Sequence, residues 1–184
     1  FYFRDIEFLG NSKYSTETLR RFLQIQSGDV YNSSYLTERV MGSPQGDDVH
    51  SLYLDNGYLF SNVMPVEKAI EGDSIDIEIR ITEGRQATVN KITVTGNDRT
   101  NDHVIYRELR TRPGDMFSRS DIQRTMRELS QLGYFDPQQL DVRPTPNAET
   151  GTVDIEYVVA EQSTSQLELQ GGWGGGRLVG TLGL

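Results

Sequence analysis

The sequence predicts an α+β protein made of two tandem modules and a final β-hairpin. Gly10-Asn11 and Gly28-Asp29 both recur 86 residues later, as Gly96-Asn97 and Gly114-Asp115, so the chain contains an internal repeat. Within each copy the spacing of the apolar residues changes in the same order, which is strand, helix, helix, strand, strand. We therefore expect two β-α-α-β-β modules, each a three-stranded mixed sheet covered by two helices.

The repeat also predicts where the modules begin and end. We expect them at residues 1–84 and 85–161, with the hairpin at residues 162–184. A later Gly-Tyr marker recurs only 76 residues on, so the first copy carries about ten extra residues, near positions 41–50. The glycine, proline and aspartate there predict a surface insertion between the second helix and the second strand.

The first strand of each copy is indicated by alternation, with Ile6 and Phe8 in copy one and Ile92 and Val94 in copy two. This period of two is typical of a strand with one buried face. Helices should follow wherever a capping residue precedes an apolar stripe. The expected N-caps are Ser15 or Thr16, Asn32, Asn101 or Asp102, and Ser118.

The last strand of each copy alternates most clearly, at 75–81 in copy one and 153–159 in copy two. A weaker strand precedes it, broken by Pro65 in one copy and bounded by Pro144 in the other. Because proline has no amide hydrogen, it is confined largely to sheet edges. The weaker strand of each module is therefore expected at an edge.

The tail after Gln162 alternates on odd positions up to Trp173 and on even positions beyond Gly174-Gly175-Gly176. This change of parity predicts a hairpin whose arms have about the nine to eleven residues of a tilted membrane strand. A flexible glycine-rich tail is the alternative.

Composition argues against several kinds of chemistry. The net charge of −9 and the pI of about 4.7 would repel phosphate backbones, so no nucleic-acid partner is expected. Cysteine is absent, and His50 and His103 have no companion ligands. No nucleophile elbow or phosphate loop occurs, so we expect no catalytic residue, cofactor, metal or small-molecule substrate. The start lacks a signal peptide, and we expect it to lie inside a longer protein or to be trimmed.

Charge differs between the two copies. Acidic residues outnumber basic ones by 14 to 7 in residues 1–84 but only by 12 to 10 in residues 85–161. Six arginines on or beside the helices of the second copy could form a docking face for an acidic partner, or simply a solvated surface. They are Arg107, Arg110, Arg112, Arg119, Arg124 and Arg127.

These features resemble the POTRA repeats of the BamA family. The shared marks are a first strand ending in Gly-Asn, a Gly-Asp followed by an aromatic residue, a second helix ending in Leu132-Gly133-Tyr134-Phe135, and a last strand ending in Glu. The resemblance covers residues 1 to about 161. It implies the last two POTRA modules of the series, with residues 162–184 as the first two strands of an outer-membrane β-barrel.

The resemblance also implies a function without catalysis. The modules would lie in the periplasm, attached to the bacterial outer membrane, as part of a protein-insertion machine. They would receive unfolded β-barrel precursors and dock accessory assembly lipoproteins.

The binding mode we expect is β-augmentation, in which an incoming strand pairs with an exposed sheet edge. The expected edges are 60–66 and 138–143, with site residues Phe60, Val63, Met64, Val66, Gln138, Leu140, Val142 and Arg143. By the resemblance, the strand carrying Leu167, Leu169 and Trp173 would form one side of the barrel seam.

Two other functions remain open from the sequence. A POTRA-bearing secretion or import transporter would move a polypeptide across the membrane instead of inserting it. A small α+β enzyme would need a pocket with convergent titratable groups, which the sequence does not supply.

Overall fold

The computed structural model describes residues 1–162, 168–174 and 177–183. The first module contains β1 (Tyr2–Leu9), α1 (Thr16–Leu23), α2 (Ser33–Met41), α3 (Val49–Asp55), β2 (Asn62–Glu71) and β3 (Ser74–Thr82). The second contains β4 (Thr88–Thr95), α4 (Asp102–Tyr106), α5 (Arg119–Gln131), β5 (Asp141–Asn147) and β6 (Thr152–Val158). A hairpin of β7 (Glu168–Gly174) and β8 (Arg177–Gly183) follows.

Both modules have the same sheet topology. The last strand is central, and the orders are β1-β3-β2 and β4-β6-β5. The first strand of each module pairs in parallel with the central strand, whereas the second strand pairs with it in antiparallel fashion. The predicted α+β fold class, with two mixed three-stranded sheets, is confirmed.

Each module has its own hydrophobic core between one face of its sheet and its helices. The alternating residues of the central strands supply the sheet side of these cores. They are Ile75, Ile77, Ile79 and Ile81 in the first module, and Val153, Ile155, Tyr157 and Val159 in the second. Leu19 and Leu23 of α1, and Ile122 and Leu129 of α5, pack from the helix side.

The helices begin close to the expected capping residues. The side chains of Ser15, Asn32 and Ser118 each accept a hydrogen bond from an amide in the first turn of α1, α2 and α5. Asn101 precedes α4 without such a bond. Short polar side chains satisfy amides that have no partner inside the helix, which explains why these residues start three of the helices.

The insertion of the first module has a different place among the helices than expected. With the 86-residue offset Ser33 aligns with Arg119, and with the 76-residue offset Asp55 aligns with Gln131. Helices α2 and α3 together therefore correspond to α5, and the insertion divides the second helix instead of following it. Its end is not at the surface, because Asp48 and Val49 are fully buried.

Arg39 fixes the inserted loop to the rest of the module. Its buried guanidinium donates to the Phe22 and Leu23 carbonyls and to the Asp47 carboxylate, the last at 2.9 Å. These hydrogen bonds satisfy the last carbonyls of α1 and one loop carboxylate at once, so the buried charge is paired with an opposite charge.

In each module a glutamate just after the central strand holds the loop before the first helix. The Glu161 carboxylate accepts hydrogen bonds from the Thr100 amide at 2.6 Å and from the Arg99 amide at 3.0 Å. Glu83 accepts the Lys13 amide at 2.7 Å in the first module. Hydrogen bonding by the Thr100 side chain, followed by the amides of Thr100 and Arg99, lowers the pKa of Glu161 to about 2.

The tail forms the predicted hairpin. Strands β7 and β8 are antiparallel, and Leu169 faces Leu182 while Trp173 faces Leu178. Odd positions of one strand therefore face even positions of the other, as the change of parity predicts. Over the described residues each arm has seven residues, fewer than the expected nine to eleven.

Candidate strand-binding edges

Each three-stranded sheet has two edge strands, which are β1 and β2 in the first module and β4 and β5 in the second. An edge strand directs alternate amides and carbonyls away from the sheet, where another chain can pair with them. Within the two modules, a site for strand addition must therefore lie on one of these four edges.

The β1 edge is covered by the loop between α1 and α2. The Phe3 amide donates to the Asp29 carbonyl at 2.9 Å, and the Gly28 amide donates to the Phe3 carbonyl at 2.7 Å. The Tyr31 amide donates to the Phe1 carbonyl at 2.8 Å. The start of this edge is thus already paired with the protein's own backbone.

The β4 edge is covered in the same way. The Val89 amide donates to the Asp115 carbonyl at 2.8 Å, and the Gly114 amide donates to the Val89 carbonyl at 2.7 Å. The Phe117 amide donates to the Ala87 carbonyl at 3.0 Å. The repeated Gly-Asp marker therefore lies in the segment that covers the start of the first strand in each module.

The β2 edge has no backbone cover within the described part of the chain. Three of its expected residues lie on the strand: Val63 is buried, Met64 is exposed and Val66 is half-buried. Phe60 precedes the strand, in a turn, and packs against the core of the second module. The strand begins later than expected because the apolar residues before it serve that second core.

One side-chain hydrogen bond lies beside the β2 edge. The Tyr31 hydroxyl donates to a Glu67 carboxylate oxygen at 2.6 Å. This hydrogen bond, with partial burial and the negative charge of Glu67, raises the pKa of Tyr31 to about 12. The hydroxyl therefore stays protonated at neutral pH and holds Glu67 against the loop that covers β1.

The β5 edge also lacks a backbone cover among the described residues. The strand begins later than expected, so Gln138 and Leu140 precede it. The Gln138 amide donates to the Asp136 side chain at 3.0 Å within a turn, and Leu140 packs against the core. Val142 is half-buried and Arg143 is exposed, and both lie on the strand.

The six arginines of the expected docking face differ in their surroundings. Three of them pair with acidic residues of their own module: Arg107 with Glu108, Arg110 with Glu128, and Arg124 with Asp121. Arg112 and Arg127 are exposed. Arg119 is directed toward the first module, where it contacts α3.

Comparison with known proteins shows which family the chain belongs to. The family model described as POTRA, surface antigen variable number repeat, matches residues 1–84 and 87–162. The outer membrane protein assembly factor BamA of Neisseria meningitidis is 33% identical over 160 residues, which cover 84% of this chain and 19% of that protein. The chain belongs to the POTRA repeats of the BamA family. The resemblance that the sequence suggested is thereby confirmed.

A second relative and a solved structure are also similar to this chain. A putative outer membrane protein assembly factor of Treponema pallidum is 30% identical over 165 residues, covering 89% of this chain and 19% of that protein. The crystal structure of Haemophilus influenzae BamA POTRA3-5 matches with a TM-score of 0.73 at 20% identity, over 88% of this chain and 61% of that one. The chain spans about a fifth of the length of these curated relatives.

Contacts between the two POTRA modules are the feature that sequence reasoning missed. The Ser120 amide, in the first turn of α5, donates to an Asp55 carboxylate oxygen at 2.7 Å. Arg119 donates to the Ser51 hydroxyl at 2.5 Å and lies 3.9 Å from the buried Asp48 carboxylate. Helix α3, which follows the insertion, therefore caps the first long helix of the next module.

The linker region adds backbone contacts to this interface. The Ala87 amide donates to the Gly57 carbonyl at 2.8 Å, and the Gln86 side chain donates to the Asn56 carbonyl at 3.0 Å. A Cβ atom on Gly57 would lie 2.5 Å from Cγ of Met116, so only glycine fits there without a shift. The sequence signal for close modules is the short linker Gly84-Arg85-Gln86, which does not indicate the residues in contact.

The predicted seam residues lie at the edge of the described structure. Leu169 and Trp173 are on β7, and Leu167 falls outside the described residues. Within the described residues, no helix is long and apolar enough to cross a membrane, and no three metal-ligating side chains converge.

Proposed function

We propose that this chain is the periplasmic, client-binding part of an outer-membrane protein assembly factor. Membership in the BamA family supports this, as do relatives named as outer membrane protein assembly factors. Residues 1–84 and 85–161 would be the last two POTRA modules, and residues 162–184 the first two strands of the barrel. The chain would act by binding and positioning, without catalysing a reaction.

The clients would be unfolded β-barrel precursors that add a strand to an uncovered sheet edge. The observation that carries this proposal is the contrast between edges. The chain's own loops pair with the start of β1 and of β4, whereas β2 and β5 have no backbone partner on their outer side among the described residues. Main-chain pairing reads little side-chain identity, which suits a factor that handles many sequences.

Partners other than clients belong to the same proposal. Accessory lipoproteins would dock on the second module, where Arg112 and Arg127 are exposed cations. The strand carrying Leu167, Leu169 and Trp173 would lie at the barrel seam and attach the modules to the outer membrane. The names of the relatives favour insertion of the client over its translocation across the membrane.

A titration by nuclear magnetic resonance tests the binding mode. The ¹⁵N-labelled chain would be titrated with a peptide of about ten residues that alternates apolar and polar side chains, as barrel strands do. We expect saturable amide shifts in an uncovered edge strand and in its central neighbour, and none at the paired start of β1 or β4.

The matched control is the same peptide with every backbone amide methylated. This peptide keeps every side chain but cannot donate a main-chain hydrogen bond along either side, so its binding should be lost. Equal binding of both peptides, or shifts confined to the helices, would contradict strand addition.

A further inference from the structure

The two uncovered edges differ in their backbone donors, and the hydrogen bonds of the central strands show how. In the second module the Val159 amide donates to the Thr95 carbonyl at 2.8 Å, and the Thr88 amide donates to the Gly151 carbonyl at 3.1 Å. Odd-numbered residues of the central strand β6 therefore direct their backbone groups toward β4. Residues of β5 opposite these positions direct theirs away from the sheet, because antiparallel pairs alternate.

Three β5 residues occupy these outward positions. Val142, Pro144 and Pro146 lie opposite Tyr157, Ile155 and Val153. Two of the three are prolines, which have no amide hydrogen to offer. The third amide, that of Val142, already donates to the Asp141 side chain at 2.9 Å. Over its paired length, β5 presents carbonyl acceptors to a visiting strand but no free amide donor.

The β2 edge has the opposite character. The Tyr2 amide donates to the Asp73 carbonyl at 2.8 Å, so odd-numbered residues of β3 direct their backbone groups toward β1. The β2 residues opposite odd positions are Val63, Pro65, Glu67 and Ile70, and a bulge between Glu67 and Ala69 shifts the register before the last of them. Three of these four outward positions carry an amide hydrogen.

These three amides are available for pairing. Within the described part of the chain, the amides of Val63, Glu67 and Ile70 donate to no loop, turn or side chain. Glu67 and Ile70 are exposed residues, with Ile70 at 56%. An unpaired outward amide on an exposed edge is the group that an incoming strand needs.

We propose that β2 is the strand-receiving edge of this pair of modules and that Pro144, Pro146 and Asp141 close β5 to strand addition. This inference rests on the proposed function and narrows it to one edge. The ligand is an extended polypeptide segment whose carbonyls accept from Val63, Glu67 and Ile70. The second module then contributes position and partner docking, not client pairing.

The first variant removes donors from β2. Glu67→Pro with Ile70→Pro deletes two outward amides and leaves the amides that pair with β3 intact. The control, Glu67→Ala with Ile70→Ala, removes the same side chains, including the Tyr31 contact, but keeps the amides. We expect peptide affinity to fall at least tenfold in the proline pair and to change less than threefold in the alanine pair.

The second variant gives donors to β5. Pro144→Thr with Pro146→Thr restores two outward amides at exposed positions, in a residue type that favours strands. In the wild type the peptide should shift amides of β2 and β3 but not of β5 and β6. In the threonine variant a second set of shifts should appear in β5 and β6.

The outcomes separate the inference from the proposed function. If no form of the chain binds the peptide, strand addition itself is wrong. If the wild type binds through β5 as strongly as through β2, or if the threonine variant gains no shifts, only the choice of edge is wrong. Should the proline pair on β2 fail to fold, the wild-type shift map and the threonine variant decide the question.

Discussion

Two glycines explain why the Gly-Asn marker repeats. Gly10 and Gly96 have φ angles of 91° and 92°, a region that side chains disfavour. A Cβ atom would lie 2.1 Å from the Ile81 carbonyl oxygen at Gly10 and 1.9 Å from the Val159 carbonyl oxygen at Gly96. The chain turns from the first strand directly against the end of the central strand, and only glycine fits.

A pair of glycine substitutions separates the two costs. Gly114 has a φ angle of 95° but open space around its missing Cβ, so Gly114→Ala should lose only about 1–3 kcal/mol from backbone strain. Gly96→Ala adds a clash with a backbone carbonyl and should lose at least about 2 kcal/mol more. Urea unfolding of both variants measures the difference, and equal losses would contradict the close contact.

Glu161 should make the second module sensitive to acid. Its pKa in the folded state is about 2, below the ordinary value of 4.5. A lowered folded pKa adds stability that is fully present above about pH 4.5 and is lost as the pH falls toward 2. Glu161→Gln should therefore be less stable than the wild type at pH 6, with the gap closing toward pH 2.

Thermal unfolding of the wild type and Glu161→Gln at several pH values checks this prediction. Thr100→Val removes the hydroxyl that lowers the pKa of Glu161 most. It should therefore remove part of the pH-dependent stability that Glu161 provides. A gap that stays constant from pH 6 to pH 2 would show that the carboxylate has no special pairing in the fold.

At the scale of helices and strands, the spacing of apolar residues correctly predicted the elements that depend on local sequence. The alternation of residues 75–81 and 153–159 correctly identified the central strands, because every second residue of each strand is apolar and buried. Three of the expected caps hold for the same local reason. The hairpin register followed from the parity change around the glycines.

The elements that sequence reasoning misplaced depend on distant contacts. Helices α2 and α3 look like one helix followed by a loop, because nothing local shows that the buried guanidinium of Arg39 holds the intervening segment. Strand β2 starts later than its apolar residues suggest because Phe60 packs against the other module. Covering of β1 and β4 could not be predicted either, since it requires loops to return to a strand.

The same limit applies to the candidate site. The prolines in and around the weaker strands predicted edges, and β2 and β5 are edges. The register of β2 against β3 and of β5 against β6 decides which residues direct their amides outward, and so whether a proline occupies such a position. Sequence alone therefore indicated both edges without distinguishing them.

For the whole molecule, the contact between α3 and α5 couples the two modules. Asp55 accepts the Ser120 amide at the start of α5, so a side chain of one module caps a helix of the next. A carboxylate near a helix N-terminus is also favoured by the helix dipole. The short linker and this cap together should hold the modules in one orientation.

Removing the cap tests the coupling. Asp55→Ala should cost about 1 kcal/mol at the start of α5, which corresponds to roughly fivefold faster local hydrogen exchange. Asp55→Asn keeps the acceptor oxygen without the charge and should show a smaller increase. Hydrogen-exchange mass spectrometry of residues 118–124 measures both, and an unchanged rate in Asp55→Ala would mean that the two modules are not joined through this cap.

The loops that cover the start of β1 and of β4 also limit self-association of the protein. A sheet with two free edges can pair edge to edge with copies of itself without limit, and such growth leads to fibres. Here loops cover the start of one edge strand in each three-stranded sheet, and prolines remove amide donors from the other edge of the second sheet. Two molecules that pair through their β2 strands would occupy each other's free amides, so pairing through β2 ends at a symmetric pair.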